Sequence, residues 1–188
     1  MRKYILWFTL LFVSTSLYLH AQNHVSFFEE HIDFALNPDY FIINGIYSFH
    51  NDAERDVNQQ IIFPFADKTA TIDSIRIINL STNSKIKFSR LENSVLFNFM
   101  LPSKDTVDIN IFYRQKISIV NKYIISSTQT WGKPLDTAVY TLTTEKNLRI
   151  KSFSYSYDSV REVKDKKLYI WEKHDFMPKF DFEITIDK

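Results

Sequence analysis

The sequence predicts an all-β protein, a single antiparallel β-sandwich of about nine to eleven strands. Three observations point there. Apolar residues recur at every second position, turn formers interrupt them every 8 to 14 residues or so, and no 11-residue window carries a convincing helical period. Residues 52–60 come nearest to a helix but have no apolar stripe.

In chain order, Glu29-Glu30-His31-Ile32-Asp33 reads as part of a strand, with Glu29, His31 and Asp33 on one face and Ile32 with Phe34 on the other. Phe41, Ile43, Gly45, Tyr47 and Phe49 share the next parity. The knot His50-Asn51-Asp52-Ala53-Glu54-Arg55-Asp56 sets Arg55 among three acids and, lying between two alternating runs, reads as a solvated hairpin loop. In Ile62-Phe63-Pro64-Phe65 the proline cannot donate to a ladder, which places Pro64 at a sheet edge or a strand end. The flanking phenylalanines then plug one end of the core. Val95, Phe97, Phe99 and Leu101 alternate, as do Val107, Ile109, Ile111 and Tyr113 over a mostly polar opposite face. Further strands are expected at 138–142, at Phe153-Tyr155-Tyr157 with serines opposite, at 168–171 and at 184–186. Burial is the expectation for those three aromatics. Residues 156–167 form a long solvated hairpin. Asn37-Pro38-Asp39, Ser81-Thr82-Asn83, Pro102-Ser103-Lys104 and Lys164-Asp165 supply turns in a chain with only two glycines.

The opening MRKYILWFTLLFVSTSLYLHAQ has basic residues, an apolar run broken by hydroxyls, and Ala21 before Gln22. That layout predicts a secretory signal peptide over residues 1–21 and one β-sandwich domain over 22–188. The apolar run is about 15 residues, short of the roughly 20 that span a bilayer, so no membrane span is expected in the mature chain. Loss of Arg2 and Lys3 leaves 21 basic against 22 acidic side chains, a net of −1. Such a chain has no global field to attract nucleic acid. The destination expected is periplasm, cell surface or exterior.

Several chemistries are excluded or unmarked. With no cysteine there is no thiolate nucleophile and no Cys-ligated zinc. With glycine only at Gly45 and Gly132, neither a P-loop nor a dinucleotide fingerprint can be written. Glu29, His31 and Asp33 are acceptable metal ligand types, but same-face residues of a strand stand roughly 7 Å apart, too far to meet one ion unaided. They read as the watered face of an amphipathic strand. His174-Asp175 reads as turn chemistry, and no serine sits in a G-x-S-x-G elbow. No catalytic, cofactor-binding or metal-ligating residue is therefore expected.

The stretch Tyr47-Ser48-Phe49-His50-Asn51, followed by Val57 and by Ile62-Phe63-Pro64-Phe65, resembles a hairpin of exported bacterial β-sandwich domains of unknown function. It is distantly similar to the start of VIT-type (vault and inter-alpha-trypsin) domains. Thr130-Trp131-Gly132-Lys133-Pro134 before the strand at 138–142 resembles the bacterial group as well. Ala66 stands where the FPxP form of the VIT start would continue differently. The resemblance implies a sandwich and supplies no catalytic residues.

The function expected is a non-enzymatic binding or structural module of the cell envelope, meeting another envelope protein or a surface glycan. The alternatives are a secreted hydrolase of polysaccharide or peptide and a small outer-membrane β-barrel. Pro64, Pro102 and the absence of a closing aromatic after Ile184 count against the barrel.

Overall fold

A computed structural model describes residues 24–68 and 71–187. The expected signal peptide at 1–21 lies outside the described residues. Alternation becomes strand at the expected places except past Phe153: β1 (Val25–Leu36), β2 (Tyr40–Asn51), β3 (Val57–Pro64), β4 (Asp73–Asn79), β5 (Ser84–Lys85), β6 (Phe88–Arg90) and β7 (Ser94–Leu101). The chain continues through β8 (Thr106–Lys116), β9 (Val120–Tyr123), a 3-10 helix (Ser126–Trp131), β10 (Leu135–Glu145), β11 (Ile150–Phe153), β12 (Ser159–Val163), β13 (Lys166–Phe176) and β14 (Phe182–Ile186).

Eight strands form one large sheet in the order β12-β13-β10-β1-β2-β8-β4-β5. Two three-stranded sheets, β11-β14-β9 and β3-β7-β6, lie over one of its faces. Ring contacts show the layering. Phe34 of β1 meets Tyr123 of β9 and Phe182 of β14, while Tyr47 and Phe49 of β2 meet Phe63 of β3 and Phe99 of β7. One apolar core runs under both small sheets, with Trp171, Tyr113, Tyr140 and Phe41 fully inside it.

The all-β class holds, and two details of the expectation are corrected. Fourteen strands are present among the described residues, not nine to eleven, and they make three sheets. The extra strands are short: β5, β6, β9 and β11 have two to four residues, too few to display a two-residue period. The pairing is also not purely antiparallel, because β10 runs parallel to β1. Alternation carries no sign of direction, so a strand delivered by a long connection looks the same in sequence as a hairpin partner.

The charged knot is a crossover between layers and not a hairpin loop, since β2 belongs to the large sheet and β3 to a small one. Asn51 organises it. Fully buried, its amide nitrogen donates to the carbonyl oxygens of Arg55, Leu101 and Pro102 at 2.9, 3.2 and 3.0 Å, and its oxygen accepts the Ala53 N–H. Pro64 does end β3, which is a sheet edge, and Phe63 and Phe65 are buried against Tyr113. Phe65 N–H donates to Asn93. Alternation along the strand then turns the Pro64 nitrogen away from β7, so the missing donor costs no ladder bond. Asn37 closes β1–β2 by accepting the N–H groups of Asp39 and Tyr40 at 3.0 and 2.7 Å. Gly132, at φ 71°, ends the 3-10 helix in a conformation that glycine adopts freely. The aromatic run 153–157 follows expectation only at its start. Phe153 packs on Tyr169 and Trp171, whereas Tyr157 is 44% exposed beyond the end of β11.

Candidate functional site

The inward face of β1 changes parity once. Val25 and Phe27 point into the core, and so do Glu30, Ile32, Phe34 and Leu36. A β-bulge makes the switch: Phe27 lies opposite Phe49 of β2, but Glu29 already lies opposite Ser48, leaving Phe28 as the extra residue. The bulge turns Glu29, His31 and Asp33 to solvent, as the sequence suggested, and carries Glu30 inside. His31 Nε2 stands 3.4 Å from Asp33 Oδ1, and among the described residues no group of three His, Cys, Asp or Glu is placed to hold a metal ion. His174 and Asp175 fall inside β13 and not in a turn, with His174 3.4 Å from Glu172 and Asp175 at φ 48°.

Glu30 is 2% exposed. Its Oε1 accepts the hydroxyl of buried Tyr140, and among the described residues Oε2 has no hydrogen-bond partner. Burial pushes the Glu30 carboxyl up to about 7, only partly opposed by the Tyr140 hydrogen bond. Beside it, Tyr47 lies directly opposite on β2 and bonds Tyr123 of β9, hydroxyl to hydroxyl, at 2.7 Å. Burial, and then the Glu30 charge, hold the Tyr47 and Tyr140 hydroxyls well above their ordinary range. Burial does the same for Tyr123, followed by Tyr47 and then Glu30.

Gly45 makes the Tyr47 pose possible. A Cβ at position 45 would sit 2.5 Å from the Tyr47 hydroxyl oxygen, 2.7 Å from its Cζ and 2.7 Å from Ile32 Cδ1. The ring lies over Gly45 along its own strand, and any side chain there would lift it. One of the chain's two glycines is thus spent on aiming a buried phenol.

Glu30, Tyr47 and Tyr123 form the floor of a cavity of about 310 Å³ between the two small sheets. The exposed residues Gln60 and Ile62 of β3 and Thr130 of the 3-10 helix mark its mouth, and Phe27, Phe49 and Trp131 line its wall. The ring centroids of that trio are 5.2, 5.5 and 6.0 Å apart. Glu30 is the one ionisable acid in the lining, which holds no His, Lys or Arg. The two-carboxylate or His-with-Asp arrangement that hydrolysis needs is not assembled here. A wider groove of about 920 Å³ beside β5–β7 has exposed Asp105 as its acid and no buried ionisable group.

The sequence reading missed Glu30 by carrying the parity of Ile32 and Phe34 no further back. The signal was present: Val25 and Phe27 on one parity against Ile32, Phe34 and Leu36 on the other demand an inserted residue between them.

No protein-family model and no curated protein matches the sequence. Among solved structures the chain is similar to a candidate nutrient binding protein from Legionella pneumophila, at 14% identity and a TM-score of 0.69, covering 87% of this chain and 67% of that one. It is also similar to an M1 zinc metallopeptidase from Deinococcus radiodurans, at 6% identity and TM-score 0.54, and to yeast LTA4 hydrolase, at 12% and 0.52. This chain spans 43% and 29% of those two lengths. At such identities the likeness shows the fold. The H-E-x-x-H zinc pair of metalloproteases occurs nowhere in the 188 residues. The fold shared here is therefore one that both a candidate binding protein and two larger enzymes contain.

Proposed function

We propose that this protein is an exported, non-enzymatic binding module that takes a small, largely apolar ligand between its two small sheets. The observation that carries the reading is the aromatic-walled cavity with a single buried carboxyl at its floor. Its volume, about 310 Å³, lies at the lower end of the range of roughly 300–1,000 Å³ for small-molecule sites. The mix is also right for such a site, with mostly apolar walls and a few convergent polar groups in Glu30, Tyr47, Tyr123 and Thr128. The name of the Legionella neighbour agrees with a binding role. Export rests on the leader-like residues 1–21, and the periplasm or cell surface is the compartment proposed. A cavity of this size suits a small molecule better than the envelope protein or glycan that the sequence alone suggested.

The three sheets read as one sandwich whose second layer is split, and the cavity is the split. The chain is placed on this reading with the exported bacterial sandwich domains that its Asn51, Phe63-Pro64-Phe65 and Trp131-Gly132-Lys133-Pro134 motifs resemble. The test is calorimetric titration with phenethyl alcohol, a compact neutral aromatic. Saturable binding to the unmodified chain is expected, with loss in Ser127→Trp, whose ring would occupy the cavity, at an unchanged melting temperature. Failure of any small neutral or charged aromatic to saturate the protein would sink the reading.

A further inference from the structure

We propose that the cavity selects an organic ammonium, a compact apolar body bearing a cationic amine, with Glu30 as its counter-ion and the rings of Phe27, Tyr47, Phe49 and Trp131 as its wall. The inference rests on the cavity being a binding site and names the class of ligand it takes.

The first support is the state of Glu30. Acids this deeply buried are ordinarily paired with a cation. Here the facing groups are all hydroxyls: Tyr140 from β10, Tyr47 from β2 and Tyr123 from β9, with Tyr113 of β8 acting on the latter two and Tyr155 on Tyr140. No Lys, Arg or His acts on the carboxyl, and Oε2 is without a protein partner among the described residues. Once ionised, the carboxyl lacks a cation among its neighbours, and the place open for one is the cavity.

The second support is independent and lies in the wall. Phe27 is within 6.1 Å of Tyr47 and, with Phe49 and Trp131, encloses one side of the space. Aromatic faces attract cations through their quadrupoles, most strongly when water is excluded, and such cages are a recurrent solution for amine ligands. A metal ion is the poorer fit. Calcium or magnesium wants about six or more oxygens, and the lining offers one carboxyl and a few hydroxyls. An anionic ligand is poorer still, for it would face Glu30 with no basic side chain in the lining.

Ligand charge and protein charge are then linked. Burial holds the empty site's carboxyl near 7, so binding an ammonium below that pH requires releasing a proton. The flanking tyrosines, all raised, stay neutral throughout.

The experiment compares phenethylamine, phenethyl alcohol and phenylacetate on the unmodified protein by calorimetry at about pH 6 and about pH 8. The amine is expected to bind at least tenfold tighter than the alcohol at about pH 8. Its affinity should fall about tenfold toward pH 6, the share of carboxyl that ionises across a pKa near 7. Phenylacetate should bind weakest, and Glu30→Gln should bring amine and alcohol to equal affinity. If amine and alcohol bind alike at both pH values, the ammonium assignment is overturned while the binding module stands. If none of the three binds, both fall. Because the ligand series and pH profile need no variant, the outcome does not depend on whether Glu30→Gln folds.

Discussion

The two faces of β1 meet opposite media within a single residue step, for Glu29 is exposed while Glu30 is enclosed by tyrosines. On the outer face, His31 and Asp33 form a half-exposed pair, and Asp33 also accepts the Thr141 hydroxyl at 2.7 Å. On the inner face, Phe34 stacks with Phe41 and Phe182 at 5.4 and 4.9 Å. The outer face has the richer alphabet of potential ligands, but they stand open to solvent. The inner face has one ionisable group, and burial raises that group's pKa. Desolvation, more than residue type, separates a site from a surface.

Replacement of Phe34 by Ala gives the largest expected contrast. Removing a fully enclosed ring that bridges β1 to β9 and β14 should cost about 3–5 kcal/mol, measured by denaturant unfolding. A cost near 1 kcal/mol would mean that the small sheets do not depend on this face of β1.

Glu30 tests the same face through pH. Its folded carboxyl titrates near 7 against an ordinary 4.5, so between those values the folded state holds a proton that the unfolded state has lost. Stability from this group is therefore fully present below about pH 4.5 and falls as pH rises through 7. The span corresponds to about 3 kcal/mol, and Glu30→Gln should abolish this slope and be the more stable protein at about pH 8. Once the other carboxylates are accounted for by the variant, no slope from Glu30 would place its charge in a solvated setting, and a slope of opposite sign would place it beside a cation.

Gly45→Ala should come next, at about 1–3 kcal/mol, because the new Cβ must displace the Tyr47 ring. In a Tyr47→Leu background the same substitution should cost clearly less, since the 2.5 and 2.7 Å approaches to that ring are gone. Equal costs in the two backgrounds would show that Ile32, not Tyr47, dictates glycine. Loss of the Tyr47–Tyr123 bond would also open the polar end of the cavity, which the titrations described above can detect.

Much of this architecture was legible in the residues. Phe41 to Phe49 and Val107 to Tyr113 alternate without interruption, and both became long central strands because each buries a full apolar row. Pro64 announced an edge through its missing donor. The direction of β10 was not legible, since Ala138, Tyr140 and Leu142 would face the core whichever way the strand ran. Nor was the role of Asn51, because its burial depends on Leu101 and Pro102, about fifty positions away. The cavity lay further out of reach. It exists where β3 and the 3-10 helix fail to meet, and a gap between elements leaves no pattern in either one. Only its floor left a trace, in the parity break between Phe27 and Ile32.

The smallest expected effect lies on the outer face and is the sharpest check of the contrast. His31 and Asp33 are 47% and 55% exposed, and across the sheet His31 lies between Val139 and Ile46, which offer no ligand atoms in their side chains. An exposed pair of this kind contributes little, because water and salt screen it and two side chains must be held in place to form it. His31→Ala should therefore shift unfolding stability by no more than about 0.5 kcal/mol. Elemental analysis before and after the substitution should give the same metal content. Stoichiometric metal that disappears with His31 would reverse the assignment of the two faces, because it would mean that Glu29, His31 and Asp33 converge despite a strand spacing of roughly 7 Å. A stable, metal-indifferent His31→Ala protein that still binds phenethylamine would leave function on the inner face, reached through the bulge at Phe28.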